Sequence, residues 1–194
     1  MTDYEFFNLK NQRTICACLI AYAGFLRSSE LLNIRLSDIV IDSSHLSIFI
    51  ESRKTDQYRD GAWVIIARTG TKLCPVVNLE NYLCWANFVQ DTDTFIFSRI
   101  TFKQGVYDVR NTDKHISYTT LREIFIEAFK PHVKDIKAFG LHSLRSGGAS
   151  SAANNGIKDR LFKRHGRWKS ENAKDGYSKV SLRERLLVSQ SLGL

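Results

Sequence analysis

The hydrophobic residues of this chain change their spacing twice. Apolar side chains recur at helical spacing over residues 11–26, and a second short helical piece follows over 28–33. Two runs rich in β-branched and aromatic residues come next, Leu46–Ile50 and Trp63–Ala67. From Pro75 onward the helical pattern returns. The spacing therefore predicts a mainly α fold with a small antiparallel β-sheet.

The remaining segments extend this prediction along the chain. We expect a third short strand near 72–76, and then a helix whose apolar positions begin at Leu79 and which ends before Asp91. A polar loop over 98–117 and a helix over 118–130, opened by Ser117 or Thr119, should follow. Another helix should begin near His142, and a last amphipathic helix is marked by Leu182, Leu186 and Leu187. The run 146–153 is rich in small residues, which allows another backbone to come close. Because the sequence has neither repeats nor an interdomain linker, residues 1–194 are interpreted as a single domain.

The charge of the chain favours a polyanionic partner. Its 28 Lys and Arg against 20 Asp and Glu give a formal net charge of +8, and the pI is about 9.4. Nucleic acid and an anionic membrane surface are the main candidates for such a charge. The sequence has no apolar run that approaches ~20 residues and no secretory signal at its start, so a membrane role has little support.

The cysteines do not predict a metal site. Cys16, Cys18, Cys74 and Cys84 have no paired zinc-binding spacing and no histidine cluster after them. We interpret them as plain thiols, which favours a reducing compartment, either the cytosol or the nucleus. No metal and no cofactor are expected.

Two short motifs are candidates for a phosphate-binding site. Residues three apart on a helix, as in Arg27-x-x-Glu30 and His142-x-x-Arg145, commonly form ion pairs of only ~0.2–0.5 kcal/mol. The context of these two motifs is more informative. Glu30 follows an apolar helix, where a buried carboxylate could hold the Arg27 guanidinium, and Arg145 precedes small residues that let its planar fork approach a phosphate.

Tyr177 is a candidate nucleophile. Its neighbours are polar and basic, and Gly176 precedes it, which suits an exposed phenol better than a core aromatic side chain. A tyrosine has an ordinary pKa near 10, so it needs nearby cations in order to lose its proton during an attack. Arg27, Arg145 and His142 could supply that charge.

Together these residues resemble the catalytic domain of the tyrosine recombinases, also called the phage integrase family. That family has an Arg followed three residues later by Glu or Asp, a Lys on a β-hairpin, an HxxR motif, a His or Trp, and a Tyr nine residues after it. Here the pattern matches Arg27 and Glu30, Lys54, His142 and Arg145, Trp168, and Tyr177, in the correct order from about residue 11 to the C-terminus. The phrase His165-Gly-Arg-Trp168-Lys-Ser resembles the eukaryotic transposon-borne members, such as the Crypton and DIRS-like elements.

The resemblance implies a fold and a chemistry. The fold would be that of the DNA breaking-rejoining catalytic domain. Tyr177 would attack a DNA phosphate and form a 3′-phosphotyrosyl link without a metal ion, while Arg27 and Arg145 clamp the phosphate oxygens. Lys54 would protonate the leaving 5′-oxygen and His142 would assist proton transfer. Trp168 would donate its indole N–H to a phosphate oxygen, and Glu30 would orient the site.

The implied partner is double-stranded DNA. Further residues expected to contact it are Arg53, Arg59, His165, Arg167 and Lys169, although His165 is equally interpretable as a structural residue. The C-terminal helix would pack on a neighbouring protomer in a tetrameric complex on DNA, or else dock on its own domain. The family's N-terminal core-binding domain is expected to be absent from this chain. The location would be the nucleus in a eukaryote and the cytoplasm otherwise.

Two other functions share part of this pattern. A type IB topoisomerase has the same fold and nucleophile but relaxes and reseals a single strand. A domesticated, non-catalytic DNA-binding module would keep the fold without needing the tyrosine, the two arginines or the lysine.

Overall fold

The computed structural model describes residues 8–51, 61–89 and 92–168, and they form helices around two small antiparallel sheets. The helices are α1 (Leu9–Ala23), α2 (Ser28–Leu32), α3 (Pro75–Trp85), α4 (Tyr118–Phe129), α5 (Leu141–Asn154) and α6 (Asp159–Gly166), and the strands are β1 (Ile39–Ile41), β2 (His45–Ile50), β3 (Ala62–Ala67), β4 (Ser98–Lys103) and β5 (Val106–His115). In this part of the chain, no helix combines the length and apolar character that crossing a bilayer would need.

Helix α1 is the centre of the fold, since it packs against α3, α4 and α5. Its start is capped by Asn8, whose side chain accepts a hydrogen bond from the Lys10 main-chain N–H. Its buried face includes one charged side chain, Arg13, whose guanidinium donates to the Ser98 carbonyl at 3.0 Å. This bond ties α1 to the first residue of β4 and gives the buried cation a partner.

The three-stranded sheet has the order β1-β2-β3, and both pairs are antiparallel. Alternate residues of β2 and β3 are buried, so that Leu46, Ile48, Val64 and Ile66 enter the main core. The strands predicted at 46–50 and 63–67 are confirmed. Strand β1 was not predicted from the sequence, because three residues are too few to show an alternation.

Two sequence predictions are wrong. Residues 72–76 do not form a strand, because Pro75 is the first residue of α3 and its fixed φ suits that position. The predicted loop over 98–117 is instead the hairpin β4–β5. Its two-residue turn, Gln104–Gly105, has positive φ at both positions, as a type I′ turn requires.

The helical predictions agree better with the structure. The predicted helix over 118–130 is α4, and Ser117 rather than Thr119 caps it, by accepting from the Thr120 N–H. The helix expected near His142 is α5, while α6 was not predicted as a separate element. The C-terminal helix expected around Leu182, Leu186 and Leu187 lies outside the described residues.

Candidate active site

A carboxylate surrounded by three arginines lies where α1, α2 and α6 meet. Glu30, on the first turn of α2, accepts hydrogen bonds from the main-chain N–H and the guanidinium of Arg27, at 2.7 and 2.8 Å. Arg167, directly after α6, donates to the same carboxylate at 2.8 Å, and the Arg145 guanidinium lies 3.8 Å from it. We call Glu30, Arg27, Arg145 and Arg167 the arginine cluster. Three cations against one carboxylate leave this cluster with an excess positive charge, which suits an anionic ligand.

Arg145 is enclosed by protein. It is the largest of the fully buried side chains in the described part of the chain, although it carries a charge. Its guanidinium donates to the carbonyl of Phe25 and, at 2.9 Å, to the carbonyl of Gly166. The guanidinium carbon also lies 5.1 Å from the ring centroid of Trp168, within the range of a cation–π contact. These contacts offset the loss of water around a buried cation and fix the direction in which it points.

The turn between α1 and α2 carries Arg27 and is held by the end of α6. Phe25 in this turn has a positive φ of 48°. The Nε2 of His165 is 2.7 Å from the Ala23 carbonyl, and the imidazole packs edge-on against the Phe25 ring at 4.7 Å. Burial lowers the pKa of His165, so the ring is neutral near pH 7 and donates its Nε2–H to the carbonyl.

A small aromatic core supports the same turn. Phe25, Ala149, Phe162 and Trp168 are buried together, and the ring centroids of Phe162 and Trp168 are 4.9 Å apart. Trp168 is 5 % exposed, so most of its indole serves as packing between α5, α6 and the turn. Its position beside Arg145 follows from this packing.

Glycine is required where α5 crosses α1. A Cβ on Gly148 would lie less than 3.0 Å from the Tyr22 carbonyl oxygen and about as close to the Phe25 ring as any Cβ can come. The small-residue run predicted to admit another backbone therefore does so here, and this close approach brings Arg145 within reach of the Phe25 carbonyl.

The pKa of Glu30 reflects the cluster. Burial alone would raise this pKa, but Arg167, the Arg27 main-chain N–H and the Arg27 and Arg145 guanidinium groups outweigh burial and lower it. A lowered folded-state pKa means that the ionised carboxylate stabilises the fold. That stabilisation is complete above the unfolded-state pKa of about 4.3 and is lost as the pH falls through the folded-state pKa.

We therefore expect a pH-dependent difference in stability between the wild type and Glu30→Gln. The free energies of unfolding should differ by a constant amount above about pH 5. The difference should shrink as the pH falls below that range, because the wild-type carboxylate becomes protonated. Urea unfolding of both proteins from pH 7 to pH 2.5 measures it, and a difference that does not change with pH would contradict the lowered pKa.

The structure brings together only some of the residues singled out from the sequence. Arg27, Glu30, Arg145 and Trp168 lie around one turn, while His142 is exposed on the first turn of α5, one helical turn before Arg145. His165 and Arg167 hydrogen-bond to the carbonyls of Ala23 and Gly24. Their contact with DNA stays a prediction. The other predicted residues, Lys54, Tyr177, Arg53, Arg59 and Lys169, lie outside the described residues.

Sequence reasoning missed the main-chain acceptors of the site. The carbonyls of Phe25 and Gly166 each accept from Arg145, and no side-chain pattern signals them. The contact of Arg167 with Glu30 had one weak indication in the sequence, which is the position of Arg167 directly before Trp168.

Comparison with known proteins identifies the family of the chain. The sequence model of the phage integrase family matches residues 4–183. The integrase/recombinase xerD homolog of Selenomonas ruminantium is 29% identical over 153 residues, which is 78% of this chain and 42% of that relative. The chain thus spans less than half the length of that curated relative.

Solved structures confirm the predicted fold. The XerA recombinase aligns with a TM-score of 0.68 and 18% identity, over 99% of this chain and 62% of that one. The XerH site-specific recombinase, in its post-cleavage complex with a palindromic difH substrate, aligns with a TM-score of 0.64 and 16% identity, over 95% of this chain and 46% of that one. A fold of this kind and a family match over most of the residues lead to one conclusion: the chain belongs to the phage integrase family.

Proposed function

We propose that this chain is the catalytic domain of a site-specific DNA recombinase that cleaves and rejoins strands through Tyr177. The observation that carries the proposal is the arginine cluster, in which two arginines predicted to clamp a phosphate, Arg27 and Arg145, share one carboxylate with an excess of positive charge. Membership of the phage integrase family and the +8 net charge support a DNA substrate.

In this mechanism each residue has one task. The Tyr177 oxygen attacks the phosphorus of a DNA phosphodiester and the 5′-oxygen leaves, so that a 3′-phosphotyrosyl ester replaces the broken bond. Arg27 and Arg145 stabilise the charge that develops on the phosphate oxygens, a role in which one preorganised donor typically contributes about 10²–10³ in rate. Lys54 gives a proton to the leaving 5′-oxygen, and His142, exposed near Arg145, assists proton transfer. A 5′-hydroxyl of another strand then attacks the ester and reverses the step.

The burial of Arg145 adds a requirement to this mechanism. Its side chain is fully buried in this structure, with a carbonyl on each side of the guanidinium. A phosphate can therefore reach it only after groups around it move. We expect DNA binding to make this change, so that the arginine exchanges a carbonyl for a phosphate oxygen.

Covalent trapping tests the proposal. The protein is mixed with nicked duplexes from the ends of the genetic element that encodes it, quenched in SDS, and analysed for a DNA-linked protein band, with and without EDTA. We expect a band that persists in EDTA and is absent from Tyr177→Phe, because that change removes only the nucleophilic oxygen.

Other outcomes would contradict the proposal. DNA that is bound at saturation without any covalent band favours the non-catalytic module. A band accompanied by relaxation of supercoiled DNA, but by no joined product between two duplexes, favours a type IB topoisomerase.

Three finer proposals concern assembly and origin. We propose that the segment with Leu182, Leu186 and Leu187 joins protomers into a tetramer on DNA; the mass of the DNA complex, with Leu186 and Leu187 changed to Asp, tests this. The phrase His165-Gly-Arg-Trp168-Lys-Ser supports a eukaryotic transposon-borne type, and hence a nuclear location, which imaging of the tagged protein tests. We also retain the proposal that residues 1–194 are a single catalytic domain.

A further inference from the structure

We propose that Arg167 is a positioning residue, which holds Glu30 and the Phe25 carbonyl in the arrangement that aims Arg145 and Arg27. This inference rests on the proposed function, because the arginines it positions are the proposed phosphate clamp. It also differs from the expectation drawn from the sequence, in which Arg167 contacts DNA directly.

The guanidinium of Arg167 is committed to protein acceptors. Nη2 donates to Glu30 at 2.8 Å and to the Phe25 carbonyl at 3.2 Å. Nη1 donates to the carbonyls of Gly24 at 3.2 Å and of His165 at 3.0 Å. The side chain is 11% exposed, so few of its atoms are available to an external phosphate.

Arg167 and Arg145 are linked through shared acceptors. The Phe25 carbonyl accepts from both guanidinium groups. The same carboxylate oxygen of Glu30 accepts from Arg167 and lies 3.8 Å from Arg145. Without the Arg167 guanidinium, the Phe25 carbonyl would lose one of its donors, and Glu30 would interact only with Arg27 and Arg145. The guanidinium groups of Arg27 and Arg145 would then take different positions.

The backbone of Arg167 has a conformation that is unusual for a residue other than glycine. The residue follows α6 in the left-handed conformation, with φ 57° and ψ 37°, which costs energy in any residue except glycine. Glycine at this position would end the helix without that cost. The strained backbone is thus compatible with a residue kept for its guanidinium, and Arg167→Gly removes that group without adding backbone strain.

The experiment compares Arg167→Gly with the wild type and with Gln104→Gly. Gln104 is the matched control, since it also has a positive φ, of 52°, but its side chain is exposed at the β4–β5 turn. Two quantities are measured: the rate of covalent adduct formation at saturating DNA, and the slope of log Kd against log salt concentration.

We expect Arg167→Gly to form the adduct about 10²-fold more slowly than the wild type, the loss that a displacement of about 1 Å in a catalytic site can cause. Its salt slope should equal that of the wild type, because no phosphate contact is lost. Gln104→Gly should match the wild type in both. A slope smaller by about 0.9, with an unchanged adduct rate, would show a direct phosphate contact and overturn the proposal. An unchanged rate with a lowered Tm would show a merely structural residue and also overturn it.

A second measurement does not depend on activity. The Tm values of Arg167→Gly, Glu30→Gln and the double variant form a cycle. We expect the double variant to lose less than the sum of the single losses, and additive losses would overturn the inward role of Arg167. A wild type that binds DNA without forming any adduct would contradict the proposed function, while this cycle still decides whether Arg167 acts on Glu30.

Discussion

Replacement of Arg145 by lysine is expected to reduce the rate of covalent DNA cleavage by about 10²–10³ at saturating DNA. Arginine presents a planar fork, and here two of its nitrogens reach the carbonyls of Phe25 and Gly166 on different elements. A lysine ammonium is a single point of charge on a flexible stem, so it cannot span both. In Arg145→Lys the positive charge remains, but one ammonium group cannot keep a carbonyl as partner and also reach a phosphate oxygen in a fixed direction. The phosphate oxygens therefore lose one directed donor.

The measurement is single-turnover adduct formation, with Arg68→Lys as the matched control. Arg68 also makes two hydrogen bonds through its fork, to Glu80 at 2.7 and 2.6 Å, but it lies at the end of β3 and outside the arginine cluster. Arg68→Lys should therefore cleave at the wild-type rate. Cleavage by a folded Arg145→Lys at the wild-type rate would show that Arg145 needs only its charge, and would contradict the clamp.

The parts of the fold that the sequence predicts are those with a clear period. Helix α1, the strand pair β2–β3 and helix α4 all have alternating or helical patterns long enough to recognise. The hairpin β4–β5 was missed because its strands carry many charged and polar side chains, and only the turn Gln104–Gly105 signals it. Strand β1 was missed because it is stabilised by its neighbour β2 rather than by its own three residues.

The sequence predicted a side-chain pair of the candidate site but not the main-chain groups to which its side chains bind. The pairing of Arg27 with Glu30 follows from a spacing of three residues and is present at 2.8 Å. The meeting of Arg145 with the Phe25 carbonyl depends on how α5 crosses α1, which no local pattern contains. The ion pair of Arg167 with Glu30 was not predicted, because the two residues are far apart in the sequence and meet only where the end of α6 reaches α2. Lys54 and Tyr177 remain predictions.

The crossing of α1 and α5 makes Gly148→Ala a strongly destabilising substitution. The added methyl group would meet the Tyr22 main-chain oxygen, which cannot rotate away as a side chain could. Alanine is favoured over glycine in a helix by up to about 1 kcal/mol, but overpacking against a backbone costs about 3 kcal/mol, so the clash decides the outcome. The two helices would have to separate, and the Phe25 carbonyl would move away from Arg145.

The neighbouring glycine provides the matched control for this prediction. A Cβ on Gly147 would make an ordinary contact of 3.4 Å with the Tyr22 ring, so Gly147→Ala should keep the helix gain of up to about 1 kcal/mol. Urea unfolding should then give Gly148→Ala a free energy of unfolding about 2 kcal/mol below the wild type, the overpacking cost less the helix gain. Equal stability of the two alanine variants would show that α5 can shift along α1 at little cost. In that case the position of Arg145 would not depend on Gly148, and cleavage by Gly148→Ala would be unimpaired.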